Sequence, residues 1–311
     1  MSAGPTPEPP LSVVLCTHGR PDYLRACLDG LRAQDRRDFE VVVVDSASPA
    51  PAASAIATLA RDHGARPLRA EAPGLSRARN LGLAAARGAW VAYLDDDAVP
   101  EPGWATALLA RIAALPPEAA ALGGRILPAW EAPLPPWWPP SLRGVLTIVE
   151  WEGFGEVARD LPPGVEIYGA NMAFARAALE TVGGFPEALG RVGNRLLSGE
   201  EVEVVARLRA AGWRAFYDGA AAVRHSIQRE RLRPAWLLSR LLWQGATDAL
   251  RDRRQGGPRR TLGAAARLTV QAPLLLWPAG SSALLRARCG AAYNLGYLRG
   301  VISPALREAG T

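Results

Sequence analysis

The sequence predicts an α/β fold in which a mainly parallel sheet is flanked by helices and followed by a C-terminal helical extension. Up to Ala114, short apolar runs alternate with segments of helical spacing, a pattern typical of parallel sheets. The predicted strands are Leu11–Cys16, Phe39–Val44 and Trp90–Leu94. The second run is continuous rather than alternating, as in strands that are covered on both faces. The predicted helices are Asp22–Gln34, Ala52–His63, Gly74–Arg87 and Trp104–Ala114.

Beyond Ala114 the periodicity weakens. Pro128–Pro140 is a loop rich in proline and tryptophan, and a short helix is predicted at Arg176–Val182. A longer helix at Ser198–Ala211 precedes a short strand at Arg214–Tyr217. From residue 229 onward the pattern is helical, basic and amphipathic. This change in pattern indicates a boundary near residue 228.

We therefore predict three segments: a disordered Pro-rich tail over 1–10, an α/β domain over 11–228 and a basic amphipathic helical extension over 229–311. Residues 1–228 hold 22 arginines and 26 acids, whereas residues 229–299 hold 13 arginines and three acids, a net charge of +10. Such a tail suits an acidic surface. The first ten residues lack the basic start and apolar stretch of a signal peptide, and no clean apolar run reaches the roughly 18 residues of a membrane span.

The amino-acid composition limits what an arginine can indicate about function. All 36 basic residues are arginine, so an arginine by itself is a weak indication of function. The three cysteines, Cys16, Cys27 and Cys289, have neither metal-site nor disulfide spacing. This cysteine usage is consistent with a reducing compartment.

Polar clusters follow all three predicted strands. Thr17 and Arg20 follow the first strand, Asp45 follows the second, and the triplet Asp95–Asp97 follows the third. In open α/β sheets, ligands bind beyond the carboxyl ends of the strands. Three clusters at consecutive strand ends therefore predict one shared crevice.

The acidic triplet is the strongest of these signals. Asp95 and Asp97, spaced i and i+2, can project to the same side of the chain. Carboxylate oxygens suit Mg²⁺ or Mn²⁺, which usually also take phosphate oxygens of a substrate. A solvated acidic turn is the alternative interpretation, and the neighbouring polar clusters favour the metal.

Two arginines near a helix start indicate phosphate binding. Arg77 and Arg79 lie two residues apart at the beginning of the predicted helix Gly74–Arg87. Guanidinium groups and helix N-termini both favour phosphate. Two ordinary surface arginines in an arginine-rich protein remain the competing explanation.

The second half supplies a candidate general base. Glu200 and Glu201 begin a predicted helix, where a glutamate beside the crevice can accept a proton. Glutamate is also favoured at helix N-termini by the helix dipole, which leaves both interpretations open. His225 can ligate a metal or pack in the core. Trp130, Trp137 and Trp138 can offer aromatic faces to a ligand or pack as a surface loop.

Taken in order, these motifs resemble the inverting glycosyltransferase family 2, whose members have the Rossmann-like GT-A fold. The resemblance covers most of residues 11–227. The matching stretches are SVVLCTHGRPDYLRACLDGL, FEVVVVDSAS, APGLSRARNLGLAAARGAWVAYLDDD, YGANMAFARAALETVGGF and LSGEEVEVVARLRAAGWRAFYDGAAAVRHSI.

The resemblance implies four groups of site residues. The implied donor-nucleotide pocket comprises Thr17, Arg20, Asp45, Arg79, Asn80 and Asp95. The implied ligands of Mn²⁺ or Mg²⁺ are Asp95, Asp97 and His225. The implied catalytic residues are Glu201, as the base, and its neighbour Glu200. The implied acceptor site comprises Gly169, Ala170 and Asn171, with Trp137 and Trp138 on the acceptor side.

Two positions depart from the family pattern. Ser46 stands where a second acid is usual, and Glu201 stands where the base is usually aspartate. The longer side chain leaves open whether Glu200 or Glu201 is the base.

The implied reaction is the metal-dependent transfer of a sugar, with inversion, from a nucleoside diphosphate sugar to an acceptor hydroxyl. UDP or dTDP is favoured as the nucleotide, and the acceptor is a polysaccharide, a lipid-linked glycan or a metabolite. The expected role is in polysaccharide or cell-envelope biosynthesis.

Four other functions compete with this one. A non-catalytic sugar-nucleotide-binding or membrane-associated scaffold would not need an intact acidic motif and Glu201. A sugar nucleotidyltransferase would want a lysine-bearing phosphate loop after the first strand, and this sequence has no lysine. A dinucleotide oxidoreductase would want G-x-G-x-x-G after a strand. Nucleic-acid binding would rest on the basic tail alone, and we expect none.

The extension also suggests a membrane surface. Trp236–Gly245 has helical apolar spacing with Arg233 and Arg240 nearby. Arginine with tryptophan and leucine on amphipathic helices is typical of association with an anionic membrane surface, and a packed helical bundle is the alternative. We expect packing for 234–250 and leave 265–300 open. The expected location is cytoplasmic, including a peripheral position at the inner face of the plasma membrane.

Overall fold

A computed structural model describes residues 8–150, 159–161, 166–191, 196–254, 256–257, 260–275 and 282–303. Most of the predicted disordered tail, residues 1–7, lies outside the described residues. The described residues divide into two compact units. The first unit draws on Met1–Leu127, Val149–Phe185 and Glu201–His225, and the second on Pro128–Ile148, Pro186–Glu200 and Ser226–Thr311. The domain boundary at residue 228 stays a prediction.

The N-terminal half of the sheet is parallel and alternates with helices, as the sequence predicts. Its strands lie in the order β3-β2-β1-β4, and every pair among them is parallel. The strands are β1 (Leu11–Thr17), β2 (Phe39–Asp45), β3 (Arg66–Arg69) and β4 (Trp90–Asp95). The helices between them are α1 (Pro21–Arg32), α2 (Ala50–Asp62) and α3 (Leu75–Ala85).

Strand β1 is paired on both sides, with β2 and with β4. All seven of its residues are buried, although neighbouring side chains on a strand point to opposite faces. Both faces of β1 are therefore covered, which is consistent with its mainly apolar sequence. Cys16 belongs to this core, as the sequence indicates.

The C-terminal half of the sheet is antiparallel where its pairings are described. Beyond β4 the order continues β8-β6-β9-β5, and β7 pairs with β9. These strands are β5 (Ala98–Pro100), β6 (Ala119–Trp130), β7 (Arg159–Asp160), β8 (Met172–Ala175) and β9 (Arg214–Ile227). The helices in this region are α4 (Trp104–Ala114), α5 (Arg176–Thr181) and α6 (Glu200–Ala210). The fold class is confirmed as a mixed α/β sheet flanked by helices.

Strand β9 is much longer than the four residues that the sequence indicates. It continues to Ile227, and β5, only three residues long, pairs with it in antiparallel register from Val223 to His225. The pairing places His225 opposite Ala98, directly after the acidic triplet. His225 is therefore inside a strand and not beyond its end.

The C-terminal extension is helical, as predicted. Its helices are α7 (Pro234–Arg254), α8 (Thr261–Leu275) and α9 (Ser282–Ile302). Across the part of the chain that the structure describes, no helix is both long enough and apolar enough to span a bilayer.

The backbones of helices α7 and α9 are in direct contact at glycine residues. A Cβ added at Gly245 in α7 would overlap the carbonyl oxygen of Tyr293, and one added at Gly296 in α9 would overlap that of Leu242. Gly300 lies one turn beyond Gly296 and faces Ala246 in the same way. Small residues four apart allow such close crossings because no side chain separates the two backbones.

A cluster of polar side chains also joins α7 to α9. Asp252 accepts a hydrogen bond from the Tyr297 hydroxyl at 2.8 Å and one from Arg260 at 3.2 Å. Asp248 accepts from the Tyr293 hydroxyl and from Arg260. The two acids of α7 are thus matched within the bundle, which offsets the cost of desolvating them.

We expect Gly296→Ala to lower the free energy of unfolding by about 2 kcal/mol or more, because the added methyl group has no space beside Leu242. Urea unfolding followed by circular dichroism measures the change. Gly144→Ala is the matched control, since a Cβ added at Gly144 would meet nothing within 4 Å. Equal stability of Gly296→Ala and the parent protein would contradict the close crossing.

Candidate active site

The acidic triplet lies at the carboxyl end of the parallel strands. Asp95 is the last residue of β4, and Asp96 and Asp97 form the turn before β5. Asp96 and Asp97 are almost fully buried, whereas Asp95 is partly exposed. Three adjacent carboxylates in this position require compensation by positive charge or hydrogen bonds.

Asp96 is held by the residues that follow β1. The Thr17 hydroxyl donates a hydrogen bond to its Oδ2 at 2.6 Å, and Arg20 donates to both of its oxygens. Burial raises the pKa of Asp96 to about 7, while the charge of Arg20 acts to lower it. Asp96 therefore ties the end of β1 to the end of β4.

Two arginines compensate the rest of the triplet. Arg20 Nη1 donates to Asp97 Oδ2 at 2.9 Å, so one guanidinium joins Asp96 and Asp97. Arg79, on α3 and only 3% exposed, lies 3.3 Å from Asp95 Oδ1. Its guanidinium also lies over the ring of Phe185, 5.5 Å from the centroid. A Cβ at Gly169 would overlap Arg79, so glycine leaves the space that this arginine occupies.

His225 joins the acidic residues in a group that fits a divalent cation. One ligand atom each from Asp95, Asp97 and His225 lies within 4.8 Å of the others, and His225 Nε2 is 3.4 Å from Asp97 Oδ1. Carboxylate oxygens with one imidazole nitrogen suit Mn²⁺ or Mg²⁺. The three residues predicted as metal ligands are therefore brought together.

Asp45 lies at the end of β2 and is fixed by two donors. The backbone N–H of Ser48 donates to its Oδ1 at 2.9 Å, and Arg69 donates to its Oδ2. Arg69 also donates to the carbonyl of Ser48 at 2.9 Å. Sequence reasoning missed Arg69 because the short strand β3 has no apolar run. Its position at a strand end, next to an acidic strand end, is the signal that could have found it.

Ser46, which replaces the second acid of the family pattern, connects β2 to the start of α3. Its hydroxyl accepts a hydrogen bond from the Gly74 backbone N–H at 3.0 Å. Its backbone N–H donates to the Thr17 carbonyl at 2.8 Å. Ser46 therefore links the three loops that follow β1, β2 and β3.

Asn80 and Asn171 are engaged with the backbone. Asn80 donates to the carbonyl of Phe185 at 2.8 Å and accepts from its N–H at 2.8 Å. Asn171 donates to the carbonyls of Arg125 and Ala221 and accepts from the Trp104 indole at 3.1 Å. These contacts give both side chains a structural role. Their predicted nucleotide and acceptor roles stay predictions, as does that of the buried Ala170.

The candidate bases lie at the start of α6. Glu200 and Glu201 are both buried, and Gly199 precedes them with a positive φ of 86°. In the second unit, Trp138 is buried and Trp137 lies beside it with ring centroids 5.6 Å apart. The roles of Glu200 and Glu201 in catalysis, and of the two tryptophans in acceptor binding, stay predictions.

Comparisons with known proteins find similarity to glycosyltransferases. The family model of glycosyl transferase family 2 matches residues 12–183. A glucosyl-dolichyl phosphate glucuronosyltransferase of Haloferax volcanii is 32% identical over 180 residues, which is 58% of this chain and 56% of the relative. A pre-mycofactocin glycosyltransferase of Mycobacterium tuberculosis is 29% identical over 261 residues, 78% of this chain and 49% of the relative. The chain thus spans about half the length of these curated relatives.

Solved structures share the fold. A mannosyltransferase of Pyrobaculum calidifontis, in complex with GDP-Man and Mn²⁺, has a TM-score of 0.59 at 20% identity, covering 94% of this chain and 89% of that one. S. aureus TarS in complex with UDP-GlcNAc has a TM-score of 0.53 at 15% identity, over 93% and 90% of the two chains. At these identities the likeness establishes the GT-A fold.

We expect His225→Gln to weaken Mn²⁺ binding about tenfold, because an amide is a poorer ligand than imidazole for this ion. Titration of Mn²⁺ followed by electron paramagnetic resonance of the free ion measures the affinity. His63→Gln is the matched control, since His63 Nε2 also lies 3.0 Å from an aspartate, Asp29, but neither residue belongs to the group of Asp95, Asp97 and His225. Unchanged Mn²⁺ affinity in His225→Gln would exclude this histidine as a ligand.

Proposed function

The chain belongs to glycosyl transferase family 2, whose model matches more than half of it, and on that premise we propose that it transfers a sugar from a nucleoside diphosphate sugar to an acceptor hydroxyl with inversion. The observation that carries the proposal is the group of Asp95, Asp97 and His225 beside Arg20 and Arg79. A cation-binding group and two arginines at the carboxyl ends of parallel strands suit a diphosphate.

The donor is a nucleotide sugar whose diphosphate lies at the acidic triplet. Asp95, Asp97 and His225 would hold Mn²⁺ or Mg²⁺, which when bound neutralises charge on the departing diphosphate. Arg79 is buried and rigidly placed, so it offers a positive charge that needs no rearrangement. Asp45, with both oxygens already oriented, is proposed to contact the base, and UDP or dTDP is the preferred nucleotide.

The chemical step is one in-line displacement with Glu201 as the base. The acceptor oxygen bonds to the anomeric carbon while the bond from that carbon to the diphosphate oxygen breaks, and its electron pair leaves with the diphosphate. Glu201 takes the proton of the acceptor hydroxyl. Support comes from its burial at the start of α6 and from the resemblance of the stretch around Glu201 to the family pattern. Attack from the face opposite the leaving group inverts the configuration.

The acceptor is proposed to be a carbohydrate, either in a growing polysaccharide or carried by a lipid. Gly169, Ala170 and Asn171 would border it, and the partly exposed Trp137 would supply an aromatic face for sugar stacking, with the buried Trp138 packed beside it. Residues 11–228 would form the catalytic domain. The proposed location is the cytoplasm, at the inner face of the plasma membrane, in cell-envelope biosynthesis.

Thermal unfolding with UDP, dTDP, GDP and CMP tests the donor site, each nucleotide being measured with Mn²⁺ and with EDTA. We expect UDP or dTDP with Mn²⁺ to raise the melting temperature, since a ligand at 100 times its Kd adds about 2.7 kcal/mol to stability. Asp97→Asn should abolish the shift, whereas Asp62→Asn, an exposed aspartate in α2, should keep it. No shift with any nucleotide in the presence of Mn²⁺ would count against the transferase.

Glu201→Gln tests the base. We expect kcat to fall at least about 100-fold, because the amide cannot accept the proton, while the nucleotide-induced melting shift persists. Glu200→Gln is the matched control and should keep most of the activity. The reverse result would move the base to Glu200. Full activity in both variants would remove the base from α6, and nucleotide binding without turnover in the parent protein would favour the scaffold.

A further inference from the structure

The C-terminal helices carry the large apolar side chains that face solvent. Among the described residues, the exposed large hydrophobics are Leu262 at 87%, Val270 at 78%, Ile302 at 68% and Leu295 at 40%. All four belong to α8 or α9. Scattered exposed apolar residues are ordinary, but their confinement to two neighbouring helices indicates a contact surface.

The exposed residues of α8 include one apolar face. Leu262, Ala266, Thr269, Val270 and Pro273 are exposed and recur with helical spacing. The one hydroxyl in this set, that of Thr269, donates to the Ala266 carbonyl at 2.8 Å, so its hydrogen bond is made inside the helix. We call these five residues the outer face of α8. No side chain on this face needs water as a hydrogen-bond partner.

The side of α8 that packs on α9 holds the buried Ala264 and a set of polar contacts. The buried Asn294 donates to Gln271 Oε1 at 3.0 Å, and Arg267 Nε donates to Asn294 Oδ1 at 3.5 Å. An amphipathic helix of a water-surrounded protein normally turns its apolar side inward and its polar side outward. Helix α8 departs from this pattern in its outer face, which is apolar and exposed, and such a face suits an apolar medium.

The charged side chains in the stretch of sequence that contains α8 and α9 are all positively charged. Residues 253–306 contain eight arginines and no aspartate or glutamate. Arg253, Arg286 and Arg299 are exposed. Such a basic, acid-free segment complements the phosphate groups of anionic lipids. A second copy of the same chain would bring the same positive charges together, which makes it the poorer occupant.

We propose that the outer face of α8 binds the surface of a membrane that contains anionic lipids. Leu262, Ala266 and Val270 enter the boundary between headgroups and acyl chains, and the exposed arginines contact lipid phosphates. This inference deepens the proposed location at the membrane, on which it rests, and assigns the contact to one helix face. It does not depend on the transfer reaction.

Sedimentation of the full chain with vesicles tests the proposal. One set of vesicles is phosphatidylcholine, and the other contains about one third phosphatidylglycerol. We expect binding to the anionic vesicles, falling at high salt. Leu262→Gln with Val270→Gln should lower the partition coefficient about tenfold or more with an unchanged melting temperature, because both side chains are already exposed.

A charge-matched pair of variants separates a local contact from net charge. Arg286→Gln with Arg299→Gln should lower binding several-fold, whereas Arg25→Gln with Arg61→Gln, on exposed positions of α1 and α2, should not. Unchanged vesicle binding of Leu262→Gln with Val270→Gln would overturn the proposal. The proposal would also be overturned if light scattering showed that the parent protein is a dimer and that this double variant is a monomer.

The same experiment keeps the two proposals apart. Asp97→Asn protein, which we expect to be inactive, should bind vesicles as the parent protein does, since Asp97 lies in the first unit and α8 lies in the second. Loss of vesicle binding in the double variant should leave nucleotide-induced stabilisation unchanged. A transferase without membrane binding and a membrane-binding protein without transfer therefore give different results.

Discussion

The rest of the site depends on the compensation of three adjacent carboxylates at the end of β4. Asp96 has no exposed surface, and its charge is balanced by Arg20 and by the Thr17 hydroxyl. Because Arg20 also bonds Asp97, the loop after β1 fixes the geometry of the turn between β4 and β5. Arg79 balances Asp95 from α3. Asp95 and Asp97 remain directed towards His225, and the group keeps the composition of a cation site.

This arrangement divides the triplet into two tasks. The middle carboxylate, Asp96, stabilises the fold by joining two strand ends, whereas its neighbours belong to the candidate cation site. Burial alone would make such a carboxylate costly, and the bidentate guanidinium offsets that cost. The same orienting contacts appear around Asp45, whose two oxygens are held by Ser48 and Arg69. In both places an arginine outside the acidic motif orients the carboxylate, which is how a rigid site is prepared before substrate binds.

The helical extension follows different packing rules from the sheet. Helices α7 and α9 cross at glycines, and their buried acids are matched by Arg260 and two tyrosines. Helix α8 contacts this bundle through the buried Ala264 and through polar side chains, and its outer face is apolar. Close glycine crossings are common between helices in membranes, and an exposed apolar face suits the same surroundings. The basic composition of the extension and its exposed apolar face therefore both favour contact with a membrane surface.

The sequence by itself determined three of the four strands in the parallel half of the fold and the polar clusters at their ends, because apolar runs and their alternation with helices are local properties. Asp95, Asp97 and the family motifs were visible for the same reason. Tertiary structure decided which residues meet: the pairing of β5 with β9 brings His225 to Asp97, and the short strand β3 brings Arg69 to Asp45. It also decided that α8 faces outward with its apolar side. Pairing register and helix orientation depend on contacts between distant residues, and no local pattern encodes those.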